Sequence, residues 1–155
     1  MAQQSHPIAD LIVRQHHTAV SCRDWDAMKS FFVDLLGFKV LGEIENRDEA
    51  PLATVTGMPG AACRWAMLAL GGHHIELFKW LTPEGKPVPI RQCDHGLTHI
   101  AFQVNDAEEA RRRMIAAGCQ PLSEVQSMRG GRAVAFYCKG PEGIIVEFVE
   151  YPLGA

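Results

Sequence analysis

The chain has 155 residues, of which 47% are hydrophobic and 21% charged, and its formal net charge at pH 7 is −3. That size and balance suit one compact globule, or two small units fused, and they exclude extended disorder and fibrous classes. The charge supplies no basic field for nucleic acid or an anionic membrane. No apolar run reaches the roughly 18 residues that span a bilayer and no signal-peptide pattern opens the sequence, so a cytoplasmic location is expected.

A loose N-terminal arm is expected over residues 1–13, merging into a strand that begins near Leu11 and runs through His17 to about Ser21. Asp24 then offers an N-cap, Trp25, Met28, Phe31, Phe32, Leu35 and Leu36 follow at helical spacing, and Gly37 supplies the stop. Phe38 to Ile44 reads as a strand, Glu45 to Ala50 as a charged loop and Gly57 to Gly60 as a turn. Arg64 to Leu70 and His73 to Trp80 read as two strands joined at Gly71-Gly72, which completes a β-α-β-β-β unit over residues 14–80. Residues 81–96 contain Pro83, Gly85, Pro87 and Pro89 without periodicity and read as a linker.

A second β-α-β-β-β unit is expected over residues 97–150. Leu97 to Val104 alternates as a strand, Asp106 with Glu109 gives a capping-box signal, and Ala110, Met114 and Ile115 line a helix that Gly118 ends. Gly118 to Glu124 lines up with Gly37 to Glu43, Arg132 to Cys138 with Arg64 to Leu70, and Ile144 to Val149 with His73 to Phe78. Gly140 to Gly143 is the turn between the last two strands. The fold class is therefore α+β, built of two βαβββ modules, each covering one sheet face with its helix and leaving the other to line something shared.

The repeat extends to chemistry. His17 and His99 each have Ala two residues later and Asp seven residues later. Glu76 stands between Ile75 and Leu77, and Glu147 between Val146 and Phe148. If the apolar neighbours face the helices, alternation turns both carboxylates to the unhelixed face, where His17 and His99 also lie. Uncompensated carboxylates in a sheet concavity cost several kcal/mol, and a divalent metal is the simplest single answer to two of them beside two imidazoles. His17, Glu76, His99 and Glu147 are the candidate metal ligands, and Glu76 and Glu147 the candidate acid-base groups. His74, on the face of Glu76, and Gln103, on the face of His99, are candidate substrate contacts. The five cysteines (Cys22, Cys63, Cys93, Cys119 and Cys138) are scattered and never in Cys-x-x-Cys, so neither a disulfide framework nor a thiolate zinc site is expected.

With Phe31 to Phe38, His74 to Leu77, Gly96 to Phe102 and Gly140 to Phe148, this pattern resembles the vicinal oxygen chelate superfamily. That superfamily holds glyoxalase I, methylmalonyl-CoA epimerase, extradiol dioxygenases, fosfomycin-resistance enzymes and bleomycin-binding proteins. The resemblance implies a glyoxalase-like fold in which the modules form a cup-shaped sheet around a metal, with ligands from first and last strands mapping onto His17, Glu76, His99 and Glu147. It also implies one divalent ion (Ni, Co, Zn, Mn or Fe), a homodimer, and a small-molecule carbonyl or thioester substrate. All four ligand positions are filled, as in the glyoxalase and epimerase branches, so a lyase or isomerase moving a proton beside a carbonyl is expected. The alternatives are an extradiol-type ring-cleaving dioxygenase and a non-catalytic resistance protein that stacks a ligand on Trp65, Trp80 or Phe78. Two positions depart from named activities. Ser21, a third candidate substrate contact, stands where glyoxalase I commonly has arginine, and the turn at Gly57 lacks the second acid of the epimerases.

Overall fold

A computed structural model describes residues 8, 9 and 11–151; residues 1–7 and 10, which form much of the expected N-terminal arm, and residues 152–155 lie outside the described residues. The first strand is β1, Thr18–Ser21, shorter than the expected strand, so His17 stands just ahead of it. Asp24 caps α1, Trp25–Ser30, by accepting the Ala27 amide at 3.1 Å. The helix runs on as a π-helical turn over Phe31–Leu35, which lets consecutive Phe31 and Phe32 both face inward. Gly37, with φ of +81°, ends it. The strands β2 (Lys39–Arg47), β3 (Ala62–Leu70) and β4 (His73–Thr82) then complete a sheet of order β1-β4-β3-β2, with β1 parallel to β4 and the other pairs antiparallel.

One helix was not expected. β2 extends to Arg47 into the stretch read as a charged loop, and α2, Ala50–Thr56, fills the interval between that loop and the turn at Gly57, for which the sequence suggests no element. Pro51 suits its first turn, where the missing N–H is not needed, and Gly57 closes it in the left-handed region. The first half is thus β-α-β-α-β-β. Leu52 packs with Ala61, Cys63 and Phe78 in a small second core on the sheet face that carries Glu76.

In the second half, β5 (Ile100–Gln103), β9 (Ile145–Glu150), β8 (Ala133–Lys139) and β6 (Gln120–Pro121) form a sheet in that order, and β7 (Gln126–Met128) also pairs with β8. The single strand expected around residues 118–124 is broken into β6 and β7, both paired with β8, and after β6 the Leu122 amide still donates to the Tyr137 carbonyl at 2.8 Å. Asp106 caps α3, Ala107–Ala116, through the Glu109 amide at 2.8 Å. The reciprocal half of the capping box is replaced: the Glu109 carboxylate accepts instead from Arg112 and Arg113.

The halves share one continuous core, in which Trp25, Phe32, Phe38, Leu68, Ile75 and Leu77 meet Ile100, Met114, Phe136, Val146 and Phe148. Each such large side chain contributes about 1.5–3 kcal/mol when fully buried. At the junction Phe38 meets Phe102 edge-on with ring centroids 6.0 Å apart, and Gly140 leaves room for the Phe31 ring. Glu142, in the turn between β8 and β9, accepts the Arg23 and Asp24 amides at 3.0 and 2.6 Å, joining the second half to the entry of α1. The entry of α3 is served from within its own half, where Glu150 accepts the Ala107 amide at 2.8 Å. Among the described residues, no helix is long and apolar enough to cross a membrane.

Candidate metal centre

The parallel pairing of β1 with β4 puts Ala19 opposite Glu76, and that of β5 with β9 puts Ala101 opposite Glu147. Residues two positions earlier share those faces, so His17 and His99 stand on the same sides as the two carboxylates, opposite buried Ile75, Leu77, Val146 and Phe148. The side chains meet in pairs. His17 Nε2 lies 2.9 Å from Glu76 Oε2, and His99 Nε2 lies 3.3 Å from Glu147 Oε2. Both pairs are partly open, with the imidazoles 33% and 31% exposed. The two pairs do not merge into one cluster: among the described residues, no three His, Cys, Asp or Glu side chains gather at a spacing that would hold a metal ion.

Each pair has its own supports, which periodicity did not reveal. Trp65, read from sequence as a core or rim residue and possible ligand platform, donates its Nε1–H to Glu76 Oε1 at 2.7 Å, leaving Oε2 to His17. His17 Nδ1 faces His16 Nδ1 at 2.8 Å. In the second half Tyr137, in register with Glu147, sets its ring edge-on to His99 at 5.1 Å. Burial, then the Glu147 charge and hydrogen bonding to it, push the Tyr137 phenol above its usual range. His99 Nδ1 faces Gln92 Oε1 at 2.9 Å and Thr98 Oγ1 at 3.1 Å. Trp65 and Tyr137 could have been picked out only by aligning β3 and β8 as neighbours of the carboxylate strands. Gln92, on an irregular segment, gave no signal.

The three candidate substrate contacts are dispersed along these faces. Ser21, exposed at the end of β1, accepts Trp80 Nε1–H at 3.2 Å. His74 stacks on His16 with centroids 6.0 Å apart, and its Nδ1 is buried without a partner. Gln103 is exposed on β5 opposite Val149. Phe78 and Trp80 stack nearly parallel at 4.9 Å.

In each pair an imidazole nitrogen and a carboxylate oxygen approach one another with open space on one side. Two such pairs make a mixed nitrogen and oxygen donor set without thiolate, which suits a divalent ion with free coordination positions. The donor chemistry therefore fits such an ion, while each pair alone offers too few ligands for a secure site.

The sequence matches the family described as Glyoxalase/Bleomycin resistance protein/Dioxygenase superfamily over residues 14–148. It is 34% identical over 99 residues to the uncharacterized protein YaeR of Escherichia coli (strain K12), a match covering 61% of this chain and 64% of that protein, under two thirds of its length. It is 28% identical over 156 residues to a 2-epi-5-epi-valiolone epimerase of Actinomyces sp, covering 92% and 82% of the two chains. Among solved structures, a glyoxalase family protein from Bacillus cereus superposes with a TM-score of 0.82 at 24% identity, covering 97% of this chain and 98% of that one.

Proposed function

Since the chain belongs to the glyoxalase, bleomycin resistance protein and dioxygenase superfamily, we propose that it is a divalent-metal-dependent lyase or isomerase that moves a proton on the carbon beside a carbonyl. The observation that carries this reading is the recurrence of one His–Glu pair at equivalent places of a repeated unit. We assign the metal to His17 and Glu76 of one subunit together with His99 and Glu147 of a second copy, because each chain presents the two pairs apart. A symmetric dimer then holds two complete sites. The similarity to an epimerase supports the proton-transfer class.

A divalent cation bound there supplies Lewis-acid polarisation of the substrate's carbonyl oxygen. The chain's own groups do the rest. A carboxylate, Glu147 or Glu76, takes the proton from the adjacent carbon and returns it either to the opposite face of that carbon or to the neighbouring one. Trp65 holds Glu76 by one oxygen, so the other is aimed rather than free to rotate. Phe78 and Trp80 offer an apolar wall on the same sheet face, which excludes water from the reacting carbon. The mixed imidazole and carboxylate set of His17, Glu76, His99 and Glu147 would hold such a cation and would leave room beside it for a carbonyl substrate.

The test mixes two inactive variants. A His17→Ala, Glu76→Ala chain and a His99→Ala, Glu147→Ala chain, unfolded together and refolded, should regain metal binding and solvent-deuterium incorporation beside the carbonyl of α-hydroxythioester, acyl-thioester or hemithioacetal substrates. In each mixed dimer one site is intact. A mixture that regains neither would refute the shared site. Metal content unchanged in both double variants would refute the ligand assignment.

A further inference from the structure

We propose that Gln92 is a positioning residue that holds the proton of His99 on Nδ1, and so presents the Nε2 lone pair toward Glu147 and any cation bound between them. The inference rests on the metal-centre reading above and names a residue that reading does not contain.

Three contacts carry it. Gln92 Nε2 donates to the backbone carbonyl of Thr98 at 3.1 Å. A carbonyl oxygen can only accept, so the amide of Gln92 has one sensible orientation, NH2 toward Thr98 and oxygen away. That oxygen, Oε1, lies 2.9 Å from His99 Nδ1. An amide oxygen can likewise only accept, and Nδ1 must therefore carry the hydrogen. Thr98 Oγ1, at 3.1 Å from the same nitrogen, can donate or accept and selects neither tautomer. With Nδ1 protonated, neutral His99 has its lone pair on Nε2, the atom facing Glu147 Oε2 at 3.3 Å. Two acceptors thus confront each other, an arrangement that invites a cation.

The segment carrying Gln92 is itself held in shape. Asp94 accepts the Arg91 amide at 2.7 Å and the guanidinium at 2.7 Å, while the Asp94 amide donates to the Arg91 carbonyl at 3.0 Å, closing a turn around Gln92. The region between β4 and β5 is therefore more than a tether: its far end sets the electronic state of a ligand. His17 has a different arrangement, with His16 rather than an amide behind its Nδ1, and a second imidazole can serve as donor or acceptor. The preorganisation is one-sided, and His99 is the member of the set already prepared for a cation.

The test compares Gln92→Met, which keeps the length and removes the acceptor, with Gln92→Glu, which keeps an acceptor. Nitrogen-15 NMR of the imidazole of His99 in metal-free protein reads the tautomer directly, and competition with a chromophoric chelator reads Ni2+ affinity. Wild type should show the proton on Nδ1. Gln92→Met should mix the tautomers and weaken Ni2+ binding roughly 10- to 100-fold, the usual effect of removing the group behind a ligating histidine, and Gln92→Glu should restore both. An unchanged tautomer and affinity in Gln92→Met, with binding still abolished in His99→Ala, would overturn the role of Gln92 and leave the metal centre standing. Ni2+ binding indifferent to His99→Ala would overturn the metal-centre reading and this inference with it, whatever the tautomer.

Discussion

Replacing Gly140 by alanine tests the junction between the halves. The backbone there is extended, with φ of −95°, so any residue could adopt it and the glycine is required by space alone. A Cβ would lie 2.8 and 2.9 Å from Cε2 and Cζ of Phe31 and 3.0 Å from Cγ2 of Ile144. Carbon atoms pack comfortably at about 3.5–4.0 Å, so the overlap with the ring is more than half an ångström. The ring has little freedom to retreat: Phe31 is 4% exposed and meets Phe32 edge-on at 5.3 Å. Overpacking of this kind costs about 1–3 kcal/mol. In a domain of this size each kcal/mol lowers the melting temperature by about 2–4 °C, which places the fall between roughly 2 and 12 °C. The diagnostic is a double-mutant cycle read by urea unfolding. Phe31→Ala alone should cost about 3–5 kcal/mol, but it empties the space the new methyl needs. The pair should then be less harmful than the sum of the singles by about 0.5–3 kcal/mol. Strict additivity, or a Gly140→Ala chain as stable as wild type, would refute the close approach of the two halves.

Two further outcomes follow from groups at the same junction and at the carboxylates. His73 is wedged edge-on between Phe38 and Phe102 with its Nε2 buried and unpartnered, and burial, then the neighbouring His74 charge, lower its pKa from the ordinary 6.5. Above that value the ring is neutral in both states; as the pH falls through 6.5 the unfolded chain takes up the proton first, so stability declines. Urea midpoints at pH 7.5 and 5.5 should differ less for His73→Phe than for wild type, and equal differences would count against the buried neutral ring. Trp65→Phe removes the Nε1–H that Glu76 accepts, a hydrogen bond to a charged group worth about 1.5–3 kcal/mol. It should weaken metal binding at least tenfold with little change in the circular dichroism spectrum, and unaltered metal affinity would show that Glu76 does not need this donor.

Sequence reveals what repeats at short range. The register that puts Glu76 with His17 and Glu147 with His99 was legible because strand alternation and the duplicated His-x-Ala frame are local patterns, and the pairings of β1 with β4 and β5 with β9 follow them. The caps Asp24 and Asp106 were legible for the same reason, since each bonds an amide only three residues away. The helix α2 was hidden because only Leu52 of its seven residues is buried, too little to create a period, and Val55, Thr54 and Thr56 disfavour the helix locally. Trp65 and Glu142 meet partners brought to them by the tertiary fold, and Gln92 meets Thr98 and His99 across an irregular segment with no period to mark the contact.

The two helix entries, alike in sequence, have unequal independence. Where the second half has Glu150 to receive the first amide of α3, the equivalent position of the first half is Lys79, and the amides ahead of α1 depend on Glu142 from across the junction. Duplication thus left one unit self-sufficient and the other reliant on its sibling. That reliance restricts how the molecule can be rearranged. If two chains exchanged halves, the arriving turn at Pro141–Gly143 would have to seat its glutamate on the same backbone amides, or Arg23 and Asp24 would turn to water and the entry of α1 would loosen. Whatever assembly the cup faces form, it has to respect a condition imposed on the opposite, helix-covered side.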